Sequence, residues 1–183
     1  MSAAPIPVKV VVAGGFGVGK TTFVGSISEI VPLTTEAALT TVSEATDDTH
    51  GTAKTTTTVA LDFGRISLGD DLVLYLFGAP GQKRFHFLWP DLSRGAIGAV
   101  VLVDTRSIED SFASVDWFES RGIPFVVGVN CFAGSPIHAV EEVREALAVP
   151  ADVPVLLCDA RDRESTKHTL IELVQHALVL AAG

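Results

Sequence analysis

The 183-residue chain is long enough for one domain with a sizeable buried core. It is 48% apolar, yet no apolar run approaches the ~20 residues of a membrane-spanning helix, and the first residues form no basic or apolar leader, so a soluble cytoplasmic protein is expected. A net charge of −9 without any basic block argues against nucleic acid or an anionic membrane surface as the main partner.

Apolar runs alternate with segments of helical period, the pattern of a mostly parallel sheet covered on both faces. After residues 1–7, read as a tail, the β-branched run 8–13 predicts the first strand. It ends in Gly14-Gly15-Phe16-Gly17-Val18-Gly19-Lys20-Thr21, which satisfies G-x-x-x-x-G-K-[ST], and a helix-permitting segment, 22–30, follows. Strand, glycine loop and helix together are the context that a phosphate-binding loop requires. The four glycines let successive backbone N–H groups turn toward phosphate oxygens, and the helix N-terminus adds its positive end. Lys20 is then expected to reach the β- and γ-phosphates and the Thr21 hydroxyl to ligand Mg2+. The expected nucleotide-binding set in this loop is Gly15, Gly17, Val18, Gly19, Lys20, Thr21 and Thr22.

Residues 31–58 are rich in Thr, Ser, Ala and Asp, lack a sustained apolar period and predict a long mobile loop. Runs 59–68 and 72–77 flank Gly69-Asp70-Asp71 and predict an antiparallel hairpin. Pro80 and Pro90 break regular structure over 78–95, and the crowding of Phe85, Phe87, Leu88 and Trp89 there predicts a partner-binding surface. Residues 96–103 predict a buried strand ending at Asp104. Ser107-x-x-Asp110 then starts a helix that turns Phe112, Val115 and Phe118 inward. A fifth strand, 124–129, ends at Asn130, and Ser135-Pro136 opens a helix with Val140, Val143 and Leu147 buried. The sixth strand is 153–157, and the last helix, from about Glu164, buries Leu170, Leu173, Val174 and Ala177. Cys131 and Cys158 each follow an apolar run and read as buried free thiols. The expected fold is α/β and three-layered: one domain over 1–183, with a six-stranded, mostly parallel sheet, one antiparallel edge strand and helices on both faces.

Over residues 8–180 the phrases KTTTTVALDFG, LYLFGAPGQKRF, GAVVLVDTR and CDARDRES extend the phosphate loop. On them the chain resembles small Ras-like P-loop GTPases of the MglA-like branch, in particular the conservon (CvnD-type) proteins of actinobacteria. The resemblance implies a G domain with 31–58 as its first switch loop and 78–95 as its second. It implies GTP/GDP and Mg2+ as cofactors and a slow, switch-like GTP hydrolysis. Thr58, with Thr57 as fallback, would join Thr21 on the metal. Gly81 would sense the γ-phosphate, while Gln82 orients the attacking water and Lys20 neutralises charge. Arg84 is implied to be a structural or partner contact.

Two departures stand out. The second switch of Ras-like GTPases normally reads D-x-x-G-Q and begins here with Gly78, where an Asp ordinarily supports Mg2+, a departure that the MglA-like branch shares. The N-K-x-D motif reads Asn130-Cys131-Phe132-Ala133, so Ala133 stands where an Asp reads guanine. Asp159-Ala160-Arg161 keeps the last base loop, with the Ala160 N–H implied to meet the guanine O6. Implied partners are a Roadblock/LC7 (MglB-like) protein, a histidine-kinase-like sensor and a DUF742 protein. Two other readings stay open: a pseudo-GTPase scaffold, and an ATP-using or non-selective nucleotide binder.

Overall fold

Alternation explains how a strand of successive valines can be buried on both sides. In β1 (Ile6–Gly14), Val10 and Val12 enter one apolar layer, while Val11 and Ala13 enter the layer on the other face. The first layer is closed by Phe23 and Ile27 of α1 (Lys20–Ile27) and by Leu170 and Leu173 of α5 (Arg163–Ala182). The second is closed by Trp89 of α2 (Trp89–Ser93), Val115 and Phe118 of α3 (Phe112–Ser120), and Val143 and Leu147 of α4 (Val140–Leu147). The computed structural model describes residues 3–43 and 53–183 and shows this three-layer arrangement directly.

The sheet has seven strands, one more than expected, in the order β2-β3-β4-β1-β5-β6-β7. The new strand is β2 (Leu33–Ser43), which pairs antiparallel with β3 (Ala53–Leu68). β3 in turn pairs antiparallel with β4 (Leu72–Gly78), so an antiparallel hairpin forms this edge of the sheet. The remaining strands β5 (Ala96–Val103), β6 (Phe125–Asn130) and β7 (Val155–Cys158) run parallel to β1. Most of the expected loop 31–58 is thus paired strand, and only 44–52 lies outside the described residues. Threonine is β-branched and suits a pleated sheet without any apolar alternation, which is why this polar stretch hides its strands.

Other differences are local. β1 begins at Ile6, inside the expected tail. The helix expected at Ser135-Pro136 starts only after Ala139, because residues 132–135 close a turn through Ser135 N–H to Phe132 O and the Glu142 carboxylate reaches back to the Ala139 N–H. Phe112 is exposed rather than inward, since a 3₁₀ turn over Thr105–Ser111 displaces the start of α3. Cys158 is buried and Cys131 half-buried, and both are free. Among the described residues no helix is long and apolar enough to cross a membrane.

Candidate functional site

β1 lies between β4 and β5, and the chain leaves its two flanks in opposite directions. That opens a crevice at the carboxyl ends of the strands, where ligands of open α/β sheets bind. A cavity of about 590 Å3 sits there, lined by Lys20, Thr21, Thr34, Asp62, Gly78 and Gln82 among others.

The glycine loop is shaped by close approach as well as by turning. Gly19 caps α1 with φ 108°, in the left-handed region that glycine tolerates, and a Cβ on it would stand 2.6 Å from the Asn130 Nδ2. The Lys20 Nζ folds over the loop and donates to the carbonyls of Gly14 (3.0 Å) and Gly15 (2.6 Å). Burial pushes the Lys20 ammonium down to about 8 from 10.5, against the opposing pull of the Asp62 charge. Between about pH 8 and 10.5 the unfolded chain therefore holds a proton on Lys20 that the folded chain has lost. Stability rises with pH through that window. Lys20→Ala should accordingly be more stable than wild type near pH 7, with the advantage gone by about pH 10.5 in urea unfolding. A difference that does not vary with pH would count against the buried charge.

Gly81 rests on the same loop, since a Cβ there would lie 2.7 Å from Gly15 C and Phe16 N and 2.8 Å from the Lys20 Nζ. Gln82 lines the cavity, but its Oε1 accepts from Arg84 Nε at 3.0 Å. Sequence reasoning missed two of the site's residues, Asp62 and Thr34. Thr21 Oγ1 donates to Asp62 Oδ2 at 2.6 Å, and Thr34 Oγ1 approaches Asp62 Oδ1 at 3.3 Å. Thr58 lies on the same strand as Asp62. Its backbone lies in β3 opposite Ala38, four residues along from Asp62, or about 13 Å at the rise of a strand. Thr34 stands beside Asp62, as the β2–β3 register dictates.

At the other end of the crevice, Asn130 ties two loops together. Its Nδ2 donates to Val18 O (2.9 Å) and its Oδ1 accepts the Ala160 N–H (3.1 Å). The amide expected to meet a guanine O6 is thus engaged by Asn130 here. Two Asp-x-Arg clamps flank the loop that follows Asn130. Arg161 binds Asp159 and reaches Cys131 O (3.4 Å), while Arg106 binds Asp104 and stacks 3.9 Å over the Phe132 ring. Hydrogen bonds from these arginines hold the Asp104 and Asp159 carboxyls below the usual range. Ala133 is exposed and brings no carboxylate.

This strand-loop-helix site defines a lineage. The family described as "conserved hypothetical ATP binding protein" matches residues 12–179. The chain belongs to that family. An uncharacterized protein of Methanocaldococcus jannaschii is 28% identical over 125 residues, covering 67% of this chain and 69% of that one. Among solved structures, the G domain of the T. maritima FeoB iron transporter aligns at a TM-score of 0.64 and 16% identity, covering 94% of this chain and 99% of that one. The FeoB G domain from Methanococcus jannaschii aligns at 0.62 and 12% identity, covering 93% and 97%. The cytosolic domain of T. maritima FeoB in a GDP form aligns at 0.65 and 16% identity over 96% of this chain, which spans only 65% of that domain's length. At these identities the likeness is one of fold, and the fold of this family member is that of a P-loop GTPase domain.

Proposed function

We propose that the protein is a Mg2+-dependent guanine-nucleotide-binding switch with slow GTP hydrolysis. The observation that carries this reading is the convergence of Lys20, Thr21, Asp62 and Gly81 on one cavity at the carboxyl ends of β1 and β4. The loop amides and Lys20 would cradle the phosphates, and Lys20 would offset the charge that develops on the γ-phosphoryl oxygens. The hydroxyl and carboxylate oxygens of Thr21, Thr34 and Asp62 are the hard donors that Mg2+ prefers. Bound there, Mg2+ supplies charge neutralisation of the phosphate oxygens. Gln82 orients the attacking water once it leaves Arg84, and that added step is the reason turnover is slow. A Roadblock/LC7 protein, a histidine-kinase-like sensor and a DUF742 protein complete the proposal as partners.

A second reading, in which ATP or any nucleoside triphosphate is bound, is favoured by Ala133 and by the engaged Ala160 N–H. It also agrees with the description of the family. Charge-assisted bonds contribute ~1.5–3 kcal/mol each, so loss of two at the guanine edge weakens base preference by roughly two to four decades. Titration with GDP, GTP, ADP and ATP at matched Mg2+ separates the two readings. Ala133→Asp, on an exposed loop, should raise the GTP-over-ATP affinity ratio about tenfold or more. Equal gains for both nucleotides, or no gain, would show that this loop does not read the base.

A further inference from the structure

Gly78 and Asp62 compete for one volume. A Cβ added to Gly78, at the end of β4, would lie 3.1 Å from the Asp62 Cβ and 3.4 Å from its Oδ2. A side chain on Gly78 would crowd that of Asp62, which would have to give by a few tenths of an ångström, and in this chain the side chain in that space is the one on β3. The Asp62 carboxylate is well furnished with donors. It accepts from Thr21 Oγ1 at 2.6 Å and Thr34 Oγ1 at 3.3 Å, and its charge reaches the Lys20 ammonium. A threonine that donates its proton to a carboxylate turns the lone pairs of its oxygen outward, and this makes the oxygen a better metal ligand. Thr21 sits on the rigid first turn of α1, and the space beyond its hydroxyl is the cavity.

Resting on the nucleotide-binding reading above, we infer that Asp62 is the carboxylate of a divalent-cation site. It positions Thr21 from β3 and so replaces the acid that Gly78 leaves out of β4. Its role is positional: it orients the Thr21 oxygen and adds negative charge beside the metal. Thr34, in register with it, is the second hydroxyl of the same site.

The experiment measures release of a fluorescent GDP from the purified full chain across a Mg2+ titration, with Mn2+ binding to the GDP-loaded protein read by electron paramagnetic resonance. In wild type, release should slow as Mg2+ rises. Asp62→Asn, which preserves shape, should shift the half-effective Mg2+ concentration upward by about tenfold or more and weaken Mn2+ binding in parallel. The transposed pair, Asp62→Gly with Gly78→Asp, should recover most of the loss seen in Asp62→Gly alone, because the carboxylate returns to the same volume from the other strand. A purely structural Asp62 predicts no such rescue, so a transposed pair no better than Asp62→Gly overturns the inference. An unchanged Mg2+ dependence in Asp62→Asn overturns it too, as does wild-type release that ignores Mg2+. If wild type retains no GDP at all, the nucleotide-binding reading fails and this inference goes with it.

Discussion

Lys20→Ala should lose about two decades or more of triphosphate affinity while the protein stays folded. The lysine is the one fixed cation of the glycine loop, and a charge-assisted contact to phosphate, made where water is scarce, contributes up to ~3 kcal/mol per bond. In the structure its Nζ bonds to Gly14 O and Gly15 O, with Gly81 packed against it. Those carbonyls hold the ammonium in place but do not offset its desolvation, which is why burial pushes its pKa down to about 8. Removal of the charge therefore removes that desolvation cost while depriving the phosphates of their partner. Calorimetric titration with GTP and with ATP, alongside a melting curve, separates these effects. A variant that melts normally and binds both nucleotides as wild type does would sink the nucleotide reading. A variant that fails to fold would instead show that the lysine is structural.

Trp89→Ala should cost about 3–5 kcal/mol of folding stability, the range for loss of a large aromatic from a core. The crowding of Phe85, Phe87, Leu88 and Trp89 over 78–95 predicts a partner-binding surface, but Trp89 is not available to one. Trp89 is 3% exposed, its Nε1 donates to Pro80 O at 3.0 Å, and its ring meets Trp117 edge-on at 5.6 Å. Phe85 is buried as well. The indole pins the Gly78–Gln82 turn to the sheet, so its loss leaves both a cavity and a bare carbonyl at Pro80. Phe87 is 58% exposed and is the aromatic of this segment that a partner can reach. Urea unfolding should show Phe87→Ser within about 0.5 kcal/mol of wild type, against the large deficit of Trp89→Ala. Similar stabilities for the two variants would mean that Trp89 is not the core residue described.

The phosphate loop was legible because its chemistry is local. Eight consecutive residues set the turn, the amides and the lysine, and the strand before and helix after it follow from their own periodicity. The strands predicted at 96–103 and 72–77 are equally plain, since a run of Val, Leu and Ile between turn residues has few other uses. The β2–β3 hairpin was not legible, because threonine-rich strands carry no apolar alternation and their stability comes from pairing with each other and with β4.

Asp62 marks the same boundary within the site. Read along the chain, Asp62 carries no sign of a site, and Gly78 reads as a plain loss. The chain by itself determined a nucleotide loop on an α/β sheet and the absence of two family acids, since both are matters of which residue follows which. Only the tertiary structure decided that an aspartate 16 positions earlier fills the space above Gly78, that Thr34 stands beside it, and that Trp89 faces inward. Each of those facts depends on register between strands or packing between layers: a shift of one residue in pairing would turn Asp62 or Thr34 to the opposite face of the sheet, and Trp89 is placed by the packing of α2 against it.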